Sequence, residues 1–151
     1  YFNGRVKNTK AHQLAMPVVY YSPITFLYWY DLPNVYKGEK ELDFWKYCPT
    51  VWDESKALQG EIGEYIVQAR RSGNDWFVGA MNGLQARDIT LNTADFLQIG
   101  KKYRVEIYND VPALNTRTKV STVVQTIKAG KILKLHLQPS GGAALRFSLL
   151  K

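Results

Sequence analysis

The sequence contains a single cysteine, Cys48, in 151 residues. No disulfide can form within the chain, so cysteine usage neither shows nor excludes an oxidising compartment. Only two histidines occur, His12 and His136, one in an apolar segment and one in a predicted strand. One cysteine and two isolated histidines do not form a recognisable zinc-binding pattern. The sequence therefore gives no support to a metal site within this chain.

Motifs for nucleophilic catalysis and phosphate binding are also missing. No serine lies in a Gly-x-Ser-x-Gly elbow, and Gly141-Gly142 is not followed by a Lys-Ser or Lys-Thr pair. The densest carboxylates are Asp53, Glu54, Glu61 and Glu64. Two carboxylates can act as acid and base on a glycosidic bond. These four lie in predicted turns and at a strand start, where they are better explained by structural hydrogen bonds.

The sequence also lacks a concentrated basic region, although its net charge is +7. A nucleic-acid-binding protein gathers lysine and arginine on one surface, where they displace counterions from phosphates. Here Lys102 and Arg104 alternate with apolar residues, as does Lys134, which is typical of the solvated face of a half-buried strand. We expect no nucleic-acid partner.

What the sequence does contain, after Tyr47, is a series of short segments with the alternating pattern of β-strands. Residues 64–70 and 76–80 flank the turn residues Ser72 to Asp75 and predict a hairpin. Further strands are predicted at 86–91, 102–108, 116–127, 131–137 and 143–150. Seven or eight short strands separated by turns every eight to twelve residues are typical of an all-β fold, an antiparallel β-sandwich.

The leading part of the chain has a different pattern. Residues 11–30 predict one thick apolar helix, capped by Asn8 or Thr9 and interrupted by Pro17 and Pro23. The prolines and several polar residues argue against a membrane span. Residues 39–46 predict a short amphipathic helix. An apolar helix needs a covering surface, and no second helix of similar size follows. We therefore expect a piece of a longer protein, with residues 1–46 belonging to an upstream domain and residues 47–151 forming the sandwich.

Four aromatic side chains are candidates for either the core or a binding surface. Trp76 and Tyr103 fall on apolar strand faces, which favours packing in the core. Trp52 lies in a predicted turn and Tyr108 on the outer face of a strand. We expect these two to pack against a neighbouring domain. The alternative is that Trp52 and Tyr108 stack on sugar rings, which would make the chain a carbohydrate-binding module.

Several separated blocks, in this order, resemble the C-terminal region of glycoside hydrolase family 97. They are HQLAMPVVYYSP (12–23), PTVWDESK (49–56), GEIGEY (60–65), ARR (69–71), DWFVG (75–79) and PSGGAA (139–144). The resemblance covers nearly the whole chain. Family members are α-glucosidases and α-galactosidases with an N-terminal β-sandwich, a (β/α)8 catalytic barrel and a C-terminal β-sandwich. The resemblance implies that residues 11–30 are similar to the last barrel helix.

The resemblance also implies what lies outside this chain. The catalytic carboxylates and the calcium ligands of the family lie upstream, so no residue here receives a catalytic role and neither the sugar nor the stereochemistry can be assigned. The chain is expected to brace the barrel, to be inactive alone and to belong to a periplasmic or secreted enzyme with an oligosaccharide substrate. Its expected partners are the barrel and the N-terminal sandwich. A homodimer through Val18, Tyr21 and Phe26 is a further expectation.

Overall fold

The computed structural model describes residues 7–22, 24–25, 29, 34 and 36–150. Two helices, α1 (Lys10–Val19) and α2 (Asp43–Tyr47), precede the strands, and a 3₁₀ helix (Lys40–Leu42) leads into α2. The strands are β1 (Glu54–Glu61), β2 (Tyr65–Ser72), β3 (Asp75–Asn82), β4 (Arg87–Asn92), β5 (Lys102–Asp110), β6 (Val120–Lys128), β7 (Ile132–Leu137) and β8 (Gly142–Leu149). A second 3₁₀ helix (Thr93–Asp95) follows β4.

The strands of the described residues form two antiparallel sheets of unequal size. The large sheet has six strands in the order β1-β2-β3-β8-β5-β6, and the small sheet pairs β4 with β7. Apolar side chains from both sheets fill the space between them, among them Val78, Val105, Leu135 and Phe147. The predicted all-β sandwich of seven to eight strands is confirmed. Trp76 and Tyr103 lie in this core, as predicted.

The burial patterns of the strands show which faces are covered. In β7 buried and exposed residues alternate strictly, because the small sheet has one face in the core and the other in water. In β3 every residue after Asp75 is buried. Continuous burial means that both faces of the strand are covered. The large sheet is therefore the middle layer of three, between the small sheet and the helices.

The outer face of the large sheet is covered by the leading segment of the same chain. Helix α1 lies across β3 and β8, and its side chains at Ala11, Leu14 and Val18 are fully buried. The large sheet of this chain therefore covers the apolar face of α1, a surface that the sequence led us to expect outside the chain. Val18 is consequently not available to a second copy, while Tyr21 is exposed and Phe26 lies outside the described residues.

Close approach of α1 to the sheet depends on glycine and alanine. A Cβ atom at Gly79 would lie 2.8 Å from the carbonyl oxygen of Ala15, and one at Gly142 would lie 2.8 Å from the Cα atom of His12. Real Cβ atoms do not approach other atoms so closely. The neighbouring Ala144 is fully buried in the same layer. Small residues on β3 and β8 thus form the surface against which the α1 backbone packs.

The predicted helix over 11–30 is too long, because α1 ends at Val19 and Tyr20 has extended backbone angles. Thr9 is the cap, its hydroxyl oxygen accepting from the His12 amide at 3.2 Å, and Pro17 lies inside the helix as predicted. Pro23 lies outside the described residues. None of the helices in the described part of the chain combines the length and apolar character needed to cross a membrane.

Among the strands, the hairpin is confirmed, with Ser72 opposite Asp75 and a positive φ at Gly73. Strand β1 was not predicted; Glu61 is its last residue, and residues 62–64 form the turn to β2 rather than the start of a strand. The predicted strand from 116 begins only at Val120, because Lys119 has a positive φ. The short helix predicted over 39–46 is present as the 3₁₀ helix and α2.

Gly79→Ala is expected to destabilise the chain by about 1–3 kcal/mol, because the added methyl group collides with the α1 backbone and forces the helix off the sheet. Urea unfolding followed by tryptophan fluorescence measures the change. Ala57→Val adds carbon atoms at an exposed position of β1 and is the matched control, expected within about 0.5 kcal/mol of the wild type. Equal stability of Gly79→Ala and the wild type would show that α1 does not need this contact.

Candidate functional site at the helix-sheet junction

The two aromatic residues singled out as sugar-binding candidates do not form an exposed platform. Tyr108 is 3% exposed, and its ring meets that of Phe44 edge to face at 5.6 Å. Trp52 is half-buried and packs in the same way on Phe77, with ring centroids 5.4 Å apart. Both rings therefore contact aromatic rings of this chain, and the expected packing of Trp52 against a neighbouring domain stays a prediction. The Tyr108 ring is not open to a sugar, and a carbohydrate-binding role through Trp52 stays an untested prediction.

The four candidate carboxylates lie on the surface. Asp53 accepts hydrogen bonds from the Gly73 amide at 2.7 Å and from Arg71 at 3.3 Å. Arg71 and Lys56 donate to Glu54 and hold the pKa of that carboxyl below its usual range. Glu64 pairs with Arg87 at 3.0 Å, and Glu61 is exposed at the end of β1. A general acid needs a raised pKa in an enclosed site, so the geometry supports the structural interpretation.

Other reactive groups are similarly placed. Burial raises the pKa of the Cys48 thiol to about 12, so the thiol stays protonated and unreactive near neutral pH. Within the described ranges, no three side chains of the His, Cys, Asp and Glu types lie together in a way that could hold a metal ion. His136 is exposed and pairs with Asp88 at 2.6 Å.

The most elaborate polar arrangement of the described residues is where α1 begins. Asp110, which is 5% exposed at the end of β5, accepts hydrogen bonds from the Thr9 hydroxyl at 2.6 Å and from the Gly142 amide at 3.0 Å. The Thr9 amide in turn donates to the carbonyl of Ser140 at 3.1 Å. Asp110 thus connects the cap of the helix, the last strand and the end of β5. The negative charge of Asp110 also lies at the N-terminus of α1, the positive end of the helix dipole.

His12 makes a second connection at the same end. Its Nδ1 lies 3.0 Å from the carbonyl oxygen of Gly141. A carbonyl only accepts, so Nδ1 carries the hydrogen atom. Burial lowers the pKa of His12, an effect that the Gly141 carbonyl and the charge of Asp110 oppose. Burial also raises the pKa of Asp110, against the hydrogen bonds from Thr9 and Gly142.

The other end of α1 is held by Arg70 on β2. Its Nε donates to the carbonyl of Val18 at 2.5 Å and its Nη2 to the carbonyl of Val19 at 3.3 Å, while Nη1 donates to the Ser55 hydroxyl at 2.6 Å. The last carbonyls of a helix have no partners within it, and a cation is favourable there. The guanidinium therefore satisfies both carbonyls and fixes where the helix ends.

Helix α2 covers the rest of the outer face with one aromatic ring. Phe44 is fully buried and contacts Phe77 at 5.9 Å, in addition to Tyr108. Arg117, in the loop before β6, donates to Glu39 at 2.8 Å and links that loop to the segment before α2. The leading segment is thus held on the sheet by packing and by polar contacts. What this arrangement can do is fix the position of the preceding chain.

Sequence reasoning missed Asp110 and Arg70, because each looks like an ordinary polar residue on a strand. One feature of the sequence does indicate that the sheet face carrying Asp110 and Arg70 is covered. The run Phe77-Val78-Gly79-Ala80-Met81 is continuously apolar where a half-exposed strand would alternate. That run indicates a second covering layer, although not which segment supplies it.

Arg70→Met is expected to destabilise the chain by about 1–3 kcal/mol, because the carbonyls of Val18 and Val19 lose their donor in a buried place. Chemical denaturation measures the loss. Arg71→Met is the matched control, being the same change one position along the strand on the opposite face. Its ion pairs with Asp53 and Glu54 are exposed, so about 0–1 kcal/mol is expected. Equal losses for the two variants would contradict the role of Arg70.

His12→Gln is expected to flatten the pH dependence of stability below about pH 6.5, the ordinary pKa of histidine. Since the folded pKa is lowered, the unfolded chain binds the proton more readily between the two values. Stability therefore falls as pH drops from about 6.5 through the folded pKa. Asp110, whose folded pKa is raised, has the opposite effect above about pH 3.9, where its contribution falls as pH rises.

Unfolding free energies measured from pH 4 to pH 8 give the comparison. Glutamine keeps a donor for the Gly141 carbonyl but does not titrate. The substitution therefore removes only the effect of His12 protonation on stability. His136→Gln, at an exposed site, is the control and should keep the fall seen in the wild type. The same pH profile in the wild type and His12→Gln would refute the assignment.

Comparison with known proteins gives a consistent result. Residues 51–148 match a family model described as the C-terminal, oligomerisation region of glycosyl hydrolase family 97. A curated relative, a retaining α-galactosidase of Bacteroides thetaiotaomicron, is 41% identical over 142 residues, which are 93% of this chain and 21% of the relative.

Solved structures agree with the sequence match. A family 97 glycoside hydrolase from Pseudoalteromonas sp. strain K8, in complex with acarbose, has a TM-score of 0.83 and 38% identity. The alignment covers 95% of this chain and 23% of that enzyme. A β-arabinopyranosidase aligns with a TM-score of 0.73 and 29% identity over 93% of this chain and 21% of its own.

These relatives are much longer, since this chain spans between a fifth and a quarter of their length. The family model matches the sandwich, the relatives align with more than nine tenths of the chain, and the fold agrees with both. The chain belongs to glycoside hydrolase family 97, of which it is the C-terminal region.

Proposed function

We propose that this chain is the non-catalytic C-terminal part of a longer enzyme that hydrolyses α-glycosidic bonds, as an α-galactosidase or an α-glucosidase. Its role is to brace the catalytic barrel that precedes it and to contribute contacts between subunits. The observation that carries the bracing role is the junction, where Asp110 and Arg70 hold the two ends of α1 on the large sheet.

The α-glycosidase activity is supported by relatives. The curated relative is named a retaining α-galactosidase, and the family 97 enzyme of Pseudoalteromonas was solved with acarbose and, as the E480Q variant, with panose. The subunit contacts are supported by the description of the family model, which includes oligomerisation. The surface ion pairs of Asp53, Glu54 and Glu64 support a non-catalytic chain.

Helix α1 supports the bracing role in physical terms. A domain joined through an exposed linker moves independently of its neighbour. Here the segment that leads back toward the rest of the enzyme is packed on the sheet, with Ala11, Leu14, Ala15 and Val18 fully buried. Motion of that segment relative to the sandwich would expose these side chains, so the sandwich restrains the preceding chain.

The family resemblance further suggests calcium in the whole enzyme and a periplasmic or secreted location, and both are part of this proposal. The described residues do not fit a calcium site built on carboxylates, since no three His, Cys, Asp or Glu side chains cluster among them. In the proposed enzyme, calcium is therefore held by domains upstream of this chain.

The test uses the full-length enzyme. Wild-type protein is expected to hydrolyse p-nitrophenyl α-galactoside or α-glucoside, and a variant with Asp53, Glu54, Glu61 and Glu64 changed to their amides should keep kcat within about twofold, since catalytic groups typically contribute 10²-fold or more. Arg70→Met should lower the temperature of thermal inactivation by about 2–4 °C. The kcat and KM of the Arg70→Met enzyme at 25 °C should stay unchanged.

Arg71→Met again serves as the control and should inactivate at the wild-type temperature. No turnover of either substrate by the full-length enzyme would overturn the α-glycosidase assignment. A tenfold loss of kcat in the four-amide variant would overturn the non-catalytic role. Identical inactivation of Arg70→Met and Arg71→Met would overturn the bracing role.

A further inference from the structure

The two edges of the large sheet differ in how well they are protected from pairing with another strand. An edge strand presents unpaired amide and carbonyl groups, and proteins usually block such edges with charges, bulges or short strands. Edge strand β1 carries Glu54, Lys56 and Glu61, and its register with β2 shifts between Ala57 and Gln59. Charge and a bulge thus protect β1.

The opposite edge, β6, has neither protection. It is nine residues long and pairs in unbroken register with β5, from Val120 opposite Asp110 to Lys128 opposite Lys102. Among the described residues β6 has no second strand partner. Its sequence VSTVVQTIK contains no proline or glycine and no charged residue before Lys128. Such a strand is a good template for strand addition.

The middle of β6 also exposes apolar side chains on both faces. Val123 is 46% exposed and Val124 is 52% exposed. Val123 lies on the side of the small sheet, like its cross-strand partner Ile107, and Val124 lies on the helix side with Glu106. Neither the small sheet nor the helix layer extends far enough to cover these valines, so an added strand would bury them.

Charge favours a second copy of this chain at β6 over other faces. The chain carries a net charge of +7, so a contact surface that brings lysine and arginine of two copies together is unfavourable. Residues 120–127 form an uncharged stretch on the sheet edge. The family model describes this region as one of oligomerisation, which is independent of the edge geometry.

We propose that two copies associate by antiparallel pairing of β6 with β6 of the second copy, giving a continuous sheet across a twofold axis. The proposal specifies the surface for the subunit contacts of the proposed function and rests on that part alone, not on the α-glycosidase activity. A twofold axis perpendicular to the sheet keeps equivalent faces on the same side. Val123 or Val124 then lies opposite its own symmetry mate.

In either register the central contact is between valines, which are favourable cross-strand neighbours. Lys128 lies at the end of the strand, so it does not face its own counterpart. The contact therefore has an apolar centre and no opposed like charges. This edge differs from the predicted homodimer through Val18, Tyr21 and Phe26, of which Val18 is fully buried within its own chain.

The test measures the molar mass of the full-length enzyme by size-exclusion chromatography with light scattering. Wild-type protein is expected to have the mass of two or more chains. Val124→Lys brings two like charges together at or next to the proposed axis and should weaken association at least tenfold, leaving the mass of one chain or half the wild-type assembly. Ala57→Lys adds the same charge to the exposed β1 edge and should keep the wild-type mass.

Hydrogen exchange on the wild-type enzyme gives a second readout that does not depend on a variant folding. Amides of residues 120–128 should become more protected as protein concentration rises through the association range, whereas those of β1 should not change. The proposal is overturned by an association-competent Val124→Lys variant, or by concentration-dependent protection elsewhere but not in β6. Wild-type enzyme with the mass of one chain overturns both the proposal and the subunit contacts of the proposed function.

Discussion

The close contact between α1 and the large sheet determines most of what is distinctive in this structure. Gly79 and Gly142 leave space that a methyl group would fill, so the helix backbone approaches the strands directly. This contact turns a two-layer sandwich into three layers. It also explains why β3 is buried along nearly its whole length, which a strand with one wet face never is.

Polar contacts fix the position of α1 on the large sheet. Apolar packing alone would allow the helix to shift along the sheet surface. Apolar contacts are non-directional, whereas Asp110 accepts from both Thr9 and Gly142 and so defines one end. Arg70 defines the other through the carbonyls of Val18 and Val19. Pro23 has no amide hydrogen, so the carbonyl of Val19 would lack its usual helical partner in any case.

These contacts also show what the sequence could and could not predict. Strands with one wet face, such as β7, were predicted because the alternation is local, and so was the hairpin around Gly73. Strand β1 was missed because its charged and small residues carry little strand signal, and pairing with β2 is what makes it a strand. The end of α1 was missed because it depends on Arg70, about fifty residues away. The family was predicted correctly from ordered blocks of residues, but the junction was not, because its members are ordinary polar residues until the fold brings them together.

The three-layer arrangement also limits how this region meets other molecules. With the small sheet on one face and the helices on the other, the large sheet can extend its hydrogen bonding only at its edges. β1 is charged and bulged, which leaves β6 as the strand that can accept another. In the proposed assembly, the helices that fasten the preceding chain cover one face of the large sheet, and the second copy binds at the far edge. A brace for the upstream domain and a contact between copies can then coexist in one small domain, because the two roles use different surfaces.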